Sequence, residues 1–429
     1  MTSPSPAPPL PLPPRSETRT LGRWGQLVLG IIAMSMIANL QYGWTLFVNP
    51  INETHQWGLA AIQIAFTVFV LVETWLVPLE GYLVDRFGPR IVGMSSGVLV
   101  AAAWVINSVA DSLPLLYAGA VIGGIGAGGV YGACIGNALK WFPDRRGLAA
   151  GLTAMGFGAG SAFTVVPIAN LIASQGYHAA FFKFGIVQGA VVFVLGWFLK
   201  APDASFKAPP PKVRANAPPK PVVTERNPVE MMRTAPFWVM YLMFVLTAAG
   251  GLIATAQLTP IAKEWAIGDV PVTLAGITMA ALPFALSISR IFNGISRPFF
   301  GWISDRVGRE NTMFGAFALE AVAILLLSQY GANPTAFVLL TTLVFFAYGE
   351  IYSLFPATCG DAYGRKFASA NAGLLYTAKG TASLLVPLSS IIAAQWGGWR
   401  GIFVVAAAMN LLAAVLALVA LKPLRARLR

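Results

Sequence analysis

Twelve apolar stretches, each about as long as the 20 residues a helix needs to cross a bilayer, run through this chain, and no soluble fold buries so many. They lie at about 24–48, 60–82, 90–109, 114–139, 147–173, 180–200, 236–260, 272–300, 311–329, 335–358, 367–394 and 399–421. Of its 429 residues, 56% are hydrophobic and only 11% are charged, so a lipid bilayer is the solvent this composition fits. In lipid every backbone polar group must be satisfied within the segment or a closed barrel. The expectation is an all-α polytopic membrane protein of twelve transmembrane helices.

Polar segments divide the chain. Residues 1–23 are Pro-rich and carry Arg15, Arg19 and Arg23 ahead of an apolar run without a small-residue cleavage site. They predict a disordered cytoplasmic tail leading into a retained helix, not a signal peptide. Residues 201–234, with the run KAPPPKVRANAPPKP, predict a cytoplasmic linker between a six-helix bundle over 24–200 and another over 235–421; residues 422–429 form a short basic tail. The net charge is +12, but its placement says more than its size. Basic residues crowd alternate connections (Arg86 and Arg90; Lys140, Arg145 and Arg146; the linker; Arg306 and Arg309; Arg365 and Lys366; the C-terminal tail), with Lys263 and Arg400 as exceptions on the other side. The positive-inside rule then puts both termini and the linker in the cytoplasm, with the chain in the cell inner membrane. The basic excess is topological, and nucleic acid is not an expected partner.

The chain repeats itself. GYLVDRFGPR begins at Gly81 and GWISDRVGR at Gly301, 220 positions later; LAAG ends at Gly151 and ANAG at Gly373, 222 positions later. Two copies of one six-helix unit are the plan of carriers that bind at a midplane site between the copies. In each G-x-x-x-D-R-x-G loop, Gly81 or Gly301 permits close helix approach, while Asp85 with Arg86, or Asp305 with Arg306, can form a latch that breaks as the halves rock. This doubled motif resembles the signature of the major facilitator superfamily. GGIGAGG at Gly123–Gly129 contains a G-x-G-x-x-G spacing, but it lies in an apolar helix with no strand before it, so it reads as close helix packing and not a nucleotide site.

A Lys or Arg at the centre of a membrane helix costs about 2.5 to 3.5 kcal/mol on insertion scales. Arg290, Arg297, Lys379, Glu350, Glu320, Glu73 and Glu80 all fall within the apolar segments. Arg290 and Arg297 are seven residues apart and share a helix face. The repeat offsets set Val77 and Phe157 opposite Arg297 and Lys379, so positive charge belongs to the second half alone, while Tyr131 and Tyr352 match across the halves. The reading that follows is a clamp: Arg297 and Lys379 hold an anion between the halves, Arg through a bidentate fork and Lys as a point charge. Arg297 has the alternative of snorkelling or pairing with Asp305, and Arg290 the alternative of an interhelical pair with Glu350.

QYGWTL from Gln41, WFPDRRG from Trp141, FNGISRPFFG from Phe292, FPAT from Phe355 and AKGTAS from Ala378 together resemble the oxalate/formate antiporter family, through nearly all twelve segments. The resemblance implies that Arg297 and Lys379 are the substrate-carboxylate ligands, with Gln41, Tyr42, Tyr131 and Tyr352 around the substrate. Tyr348 stands where the family pattern has Trp, and Phe157 where it has a helix-5 Tyr, and both positions line the same site. Arg290 and Glu350 are extra charges, a possible coupling or charge pair, although Glu350 lies between Tyr348 and Tyr352 and should point away from them.

The functional expectation is a monomeric secondary transporter that exchanges small carboxylates by alternating access. The runner-up is a proton-coupled monocarboxylate symporter with Glu350 carrying the proton. A transporter-like sensor would need a signalling appendage, and the tails are too short for one. No nucleophile, base or metal constellation suggests an enzyme, and no phosphate loop suggests ATP; no cofactor or metal is expected.

Overall fold

The computed structural model describes residues 21–142, 146–203, 206, 225–364 and 367–428. Residues 1–20 of the predicted 1–23 tail, the linker residues 204, 205 and 207–224, and Arg145, Arg365 and Lys366 lie outside the described residues, as do the side chains of Asp85 and Asp305.

Helices dominate. In the first half, α1 (Arg23–Tyr42) resumes after Gly43 and Trp44 as α2 (Thr45–His55), and α3 (Leu59–Trp75) meets α4 (Val77–Ser108) at a 47° bend. Pro78, at the start of α4, removes a backbone donor and crowds the preceding turn, which accounts for the bend. Next come α5 (Leu113–Trp141) and α6 (Arg146–Ala159), and the single 3₁₀ turn Gly160–Phe163 leads into α7 (Val165–Phe198). The second half begins with α8 (Pro228–Met232), a one-turn helix inside the predicted linker, closed by a capping box between Asn227 and Glu230. It continues with α9 (Ala235–Glu264), α10 (Ala281–Val307), α11 (Arg309–Tyr330), α12 (Pro334–Tyr348), α13 (Ile351–Tyr363), α14 (Ala368–Ser383), α15 (Leu385–Trp396), α16 (Arg400–Leu416) and α17 (Lys422–Arg427).

Among the described residues, nine helical stretches are long and apolar enough to cross a membrane, or ten when the bent α3–α4 pair is taken as one span. One of them, Gly151–Phe198, is interrupted at Gly176 and so covers both the fifth and sixth predicted segments. Helix α10, which bears Arg290 and Arg297, occupies most of the eighth and is not among the ten. Large apolar side chains such as Leu79, Val98, Phe182, Trp238 and Leu411 are exposed on the outer surface, the inverse of a soluble protein.

One expected helix starts late. Residues 272–280 belong not to the eighth helix but to a hairpin in which β1 (Pro271–Leu274) pairs antiparallel with β2 (Ile277–Ala280), Pro271 opposite Ala280. Ala275 (φ 50°) and Gly276 (φ 80°) form the two-residue turn that such a hairpin needs. The apolar run PVTLAGITMA has helix-like hydropathy, but its β-branched residues and positive-φ turn favour strands.

Both motif loops turn on their last glycine. Gly88 has φ 83° and Gly308 φ 98°, conformations that a side chain strains. The glycines of GGIGAGG bring α5 against its neighbours: a Cβ on Gly124 would lie 2.8 Å from the Phe69 carbonyl oxygen and one on Gly126 3.0 Å from the Val100 nitrogen. The halves meet where α10 packs along α6, α14 and α15 along α3, and α2 along α9.

At Gly308 a Cβ would meet nothing closer than 4.0 Å, so a side chain there is penalised through the backbone alone. Gly308→Val is expected to lose about 1–3 kcal/mol, read as a lower unfolding temperature in detergent. An unchanged midpoint contradicts the strained turn.

Candidate functional site

Five of the predicted spans are broken partway along: at Gly43–Trp44, at Leu76, at Gly160–Phe163, at Gly349–Glu350 and at Leu384. Six of the eight predicted substrate-binding residues sit beside the breaks, while Tyr131 and Arg297 lie within the unbroken α5 and α10. Gln41 and Tyr42 end α1, Phe157 lies three residues before the 3₁₀ turn, Tyr348 and Tyr352 flank Gly349–Glu350, and Lys379 lies five residues before Leu384. Interrupted helices at a central site are the usual membrane solution for exposing polar groups without lipid contact.

The structure brings all eight predicted substrate-binding residues into one cage. Its aromatic wall is continuous. Tyr42 and Phe157 have ring centres 5.4 Å apart, Phe157 meets Tyr131 edge-on at 6.4 Å, and Tyr131 stacks on Tyr376 at 5.5 Å. Tyr376 meets Tyr352 at 6.1 Å, and the Tyr352 hydroxyl hydrogen-bonds that of Tyr348 at 2.8 Å. That bond places Tyr348 and Tyr352 on one face, as their spacing predicts. Tyr131 and Tyr352, matched by the repeat, keep partial exposure, whereas Gln41, Tyr42, Phe157, Tyr348, Arg290, Arg297 and Lys379 are buried.

The cations are held differently. The Lys379 ammonium donates to Gln41 Oε1 (2.8 Å), Glu73 Oε2 (3.0 Å) and the Tyr376 hydroxyl (3.1 Å), which accounts for its three donors. Gln41 and Glu73 come from the other half. Lys379 also lies 5.4 Å from the ring centre of Phe157, so the two repeat-related residues face each other. Arg297 neither snorkels nor is exposed: it donates to the Ala154 carbonyl (2.6 Å), to Asn293 Oδ1 (3.2 Å) and to the Tyr42 hydroxyl (3.4 Å), and its guanidinium lies over Tyr352 at 4.3 Å. Arg290 lies between the rings of Tyr42 (4.4 Å) and Phe345 (4.0 Å).

The alternative Arg290–Glu350 pair does not form. Among the described residues neither side chain has a hydrogen-bond partner, and no ion pair joins them. The physical reason is helical spacing: Tyr348 and Tyr352, four residues apart, share the cage face, and Glu350 between them points away.

Two cage members went unassigned from sequence, Glu73 and Tyr376. Signals for both exist. The offset of 220 sets Glu73 opposite Asn293, and each of these holds a cation: Glu73 holds Lys379 and Asn293 holds Arg297. Tyr376 precedes Lys379 by one helical turn, on the same face.

On one side of the cage, polar contacts join the halves: Glu53 with Lys263, Thr45 with Thr259 (3.0 Å), Gln63 with the Ala256 carbonyl (2.8 Å) and with Gln257 (3.0 Å), and Thr67 with the Ser383 carbonyl (2.7 Å). The motif loops lie at the other end, where Arg86 donates to the Tyr82 hydroxyl and Arg306 lies over Trp302, each within its own half. There a Cβ on Gly81 would meet nothing within 4 Å, and one on Gly301 only Ser353, so neither glycine is used for tight packing here. Among the described residues no cluster of three or more His, Cys, Asp or Glu side chains could hold a metal ion.

Comparison with known proteins agrees with this architecture. The profile of the Major Facilitator Superfamily matches residues 28–295 and 270–428. The chain is 36% identical over 410 residues to the oxalate:formate antiporter of Oxalobacter formigenes, covering 94% of this chain and 92% of that protein. It is 25% identical over 372 residues to the uncharacterized transporter YhjX of Escherichia coli (86% and 88% covered), and 23% identical over 404 residues to monocarboxylate transporter 13 of Bos taurus (91% and 88% covered).

Removing one member of a buried ion pair leaves the other uncompensated, at a cost of about 3–5 kcal/mol. Lys379→Met is expected to lower stability by that order, and Glu73→Leu combined with Lys379→Met to recover most of the loss, measured by thermal unfolding in detergent. Additive losses contradict the pairing.

Proposed function

We propose that this chain, which belongs to the Major Facilitator Superfamily and within it to the oxalate/formate antiporter family, exchanges small carboxylates of the oxalate and formate type across the cell inner membrane. The observation that carries the proposal is the donor set of the cage. Among the described residues, Arg297 Nε, Gln41 Nε2 and all three nitrogens of Arg290 are buried without a hydrogen-bond partner, and all are donors. A carboxylate supplies acceptors for such a set.

Charge favours exchange over free diffusion of the carrier. Glu73 offsets Lys379, while Arg297 is met only by neutral oxygens and Arg290 by rings. Closing both gates around those two cations with no anion present leaves them desolvated, which is costly. A bound anion removes that cost, so the loaded carrier isomerises and the unloaded one is trapped. Substrate reaches Lys379 by competing with Glu73.

With both termini cytoplasmic, the polar seam from Glu53–Lys263 to Thr67–Ser383 is the periplasmic gate, and Tyr131 and Tyr352 face the cytoplasmic approach. The motif residues Gly81, Asp85 and Arg86, with Gly301, Asp305 and Arg306, serve the cytoplasmic gate. The carrier works as a monomer, because the cage is completed by its own two halves.

Labelled oxalate is expected to enter proteoliposomes preloaded with oxalate or formate and not those loaded with buffer. Arg297→Gln and Lys379→Gln are expected to lower exchange at least 100-fold while the protein still inserts. Full exchange by either variant contradicts the clamp. Uptake into unloaded vesicles driven by an inward proton gradient, and abolished by Glu350→Gln, would instead establish the symport reading.

A further inference from the structure

Among the described residues, no carboxylate pairs with the charge of Arg290. Its side chain is fully buried, and none of its three nitrogens has a hydrogen-bond partner among the described residues. The rings of Tyr42 and Phe345 contact the guanidinium through its carbon at 4.4 and 4.0 Å from their centres. Cation–π contact of this kind contributes about 0.5–2 kcal/mol, less than the several kcal/mol that a buried unpaired ion costs. The carboxylates nearby do not make up the difference: Glu73 is committed to Lys379, and Glu350 forms no ion pair with Arg290.

Position gives the unmet donors a use. Arg290 and Arg297 share one face of α10, about 10 Å apart along the axis at 1.5 Å per residue. Both touch Tyr42, Arg290 at the ring and Arg297 at the hydroxyl. Asn293, one turn before Arg297, uses Oδ1 on Arg297 and its amide nitrogen on the Phe345 carbonyl, so it fixes the backbone between the two cations. Arg297, at the hydroxyl of Tyr42, and Arg290, at its ring, therefore form two cationic positions whose backbones lie about 10 Å apart along α10. Oxalate, whose carboxyl carbons are bonded to each other, has no spacer to lie between two such positions.

We infer that Arg290 is a second carboxylate subsite, and that the cage takes dicarboxylates longer than oxalate, with one carboxylate on Lys379 and Arg297 and the other on Arg290, the carbon spacer lying along Tyr42. This inference rests on the carboxylate-exchange reading and adds a length and charge preference to it. Arg is the residue suited to such a subsite, since its planar fork receives a carboxylate edge-on while its faces stay stacked.

The test compares succinate with butyrate, which has the same four carbons and lacks the second carboxylate, as competitors of labelled oxalate exchange in proteoliposomes. In the wild-type protein succinate is expected to compete at least tenfold better than butyrate. Arg290→Gln is expected to collapse that ratio at least tenfold, and Arg290→Lys to retain part of it. Equal competition by the two acids in the wild-type protein overturns the subsite whether or not any variant folds. So does an unchanged ratio in Arg290→Gln. Absence of exchange with every carboxylate preload is a separate result that removes the carboxylate reading itself.

Discussion

The ammonium of Lys379 stays in the middle of the bundle because three protein oxygens surround it, and one of them is a carboxylate from the opposite half. That contact ties α14 to α3 and ties charge to conformation. A cation buried in this way cannot gain or lose a partner without changing the energy of the interface between the halves. Arg297 makes the same kind of bridge through neutral groups, reaching Ala154 on α6 and Tyr42 on α1. The cationic centre therefore joins the two halves, and in the proposed cycle an anion arriving there acts on that junction as well as on the cations.

Backbone breaks make this centre possible. A continuous helix keeps its backbone polar groups to itself and presents side chains on a regular lattice. Interrupting five spans near their middles lets Gln41, Tyr42, Phe157, Tyr348, Tyr352 and Lys379 converge, while the lipid-facing surface stays apolar. The polar seam above the cage and the open glycines at the motif end make the two approaches unequal. Alternating access requires that inequality to reverse.

Much of this was legible in the chain. The twelve apolar segments, the doubled motif and the two intramembrane cations point to a six-plus-six carrier with a midplane site, and the resemblance carried by QYGWTL, FNGISRPFFG and AKGTAS selects the residues that the structure brings together. Three features were not legible, each for a physical reason. The hairpin over 271–280 is as apolar as a helix, and only its β-branched residues and Ala275–Gly276 turn distinguish it. The Arg290–Glu350 pair looked reasonable from charge alone, but charge does not say which groups touch, and the spacing that turns Glu350 away from Tyr348 and Tyr352 also turns it from the cage. The role of Glu73 depends on which helices of opposite halves touch, and no periodicity within one helix carries that information.

Binding tests the central claim more directly than transport, because it isolates the cation from the conformational cycle. Oxalate affinity would be measured by titration calorimetry on the purified protein and on Lys379→Met in the same detergent. A hydrogen bond to a charged group is worth about 1.5–3 kcal/mol, so the account predicts that the variant binds oxalate roughly 10- to 150-fold more weakly. Equal affinity in the two proteins would mean that Lys379 is a structural partner of Glu73 and not a ligand, and the account would fail.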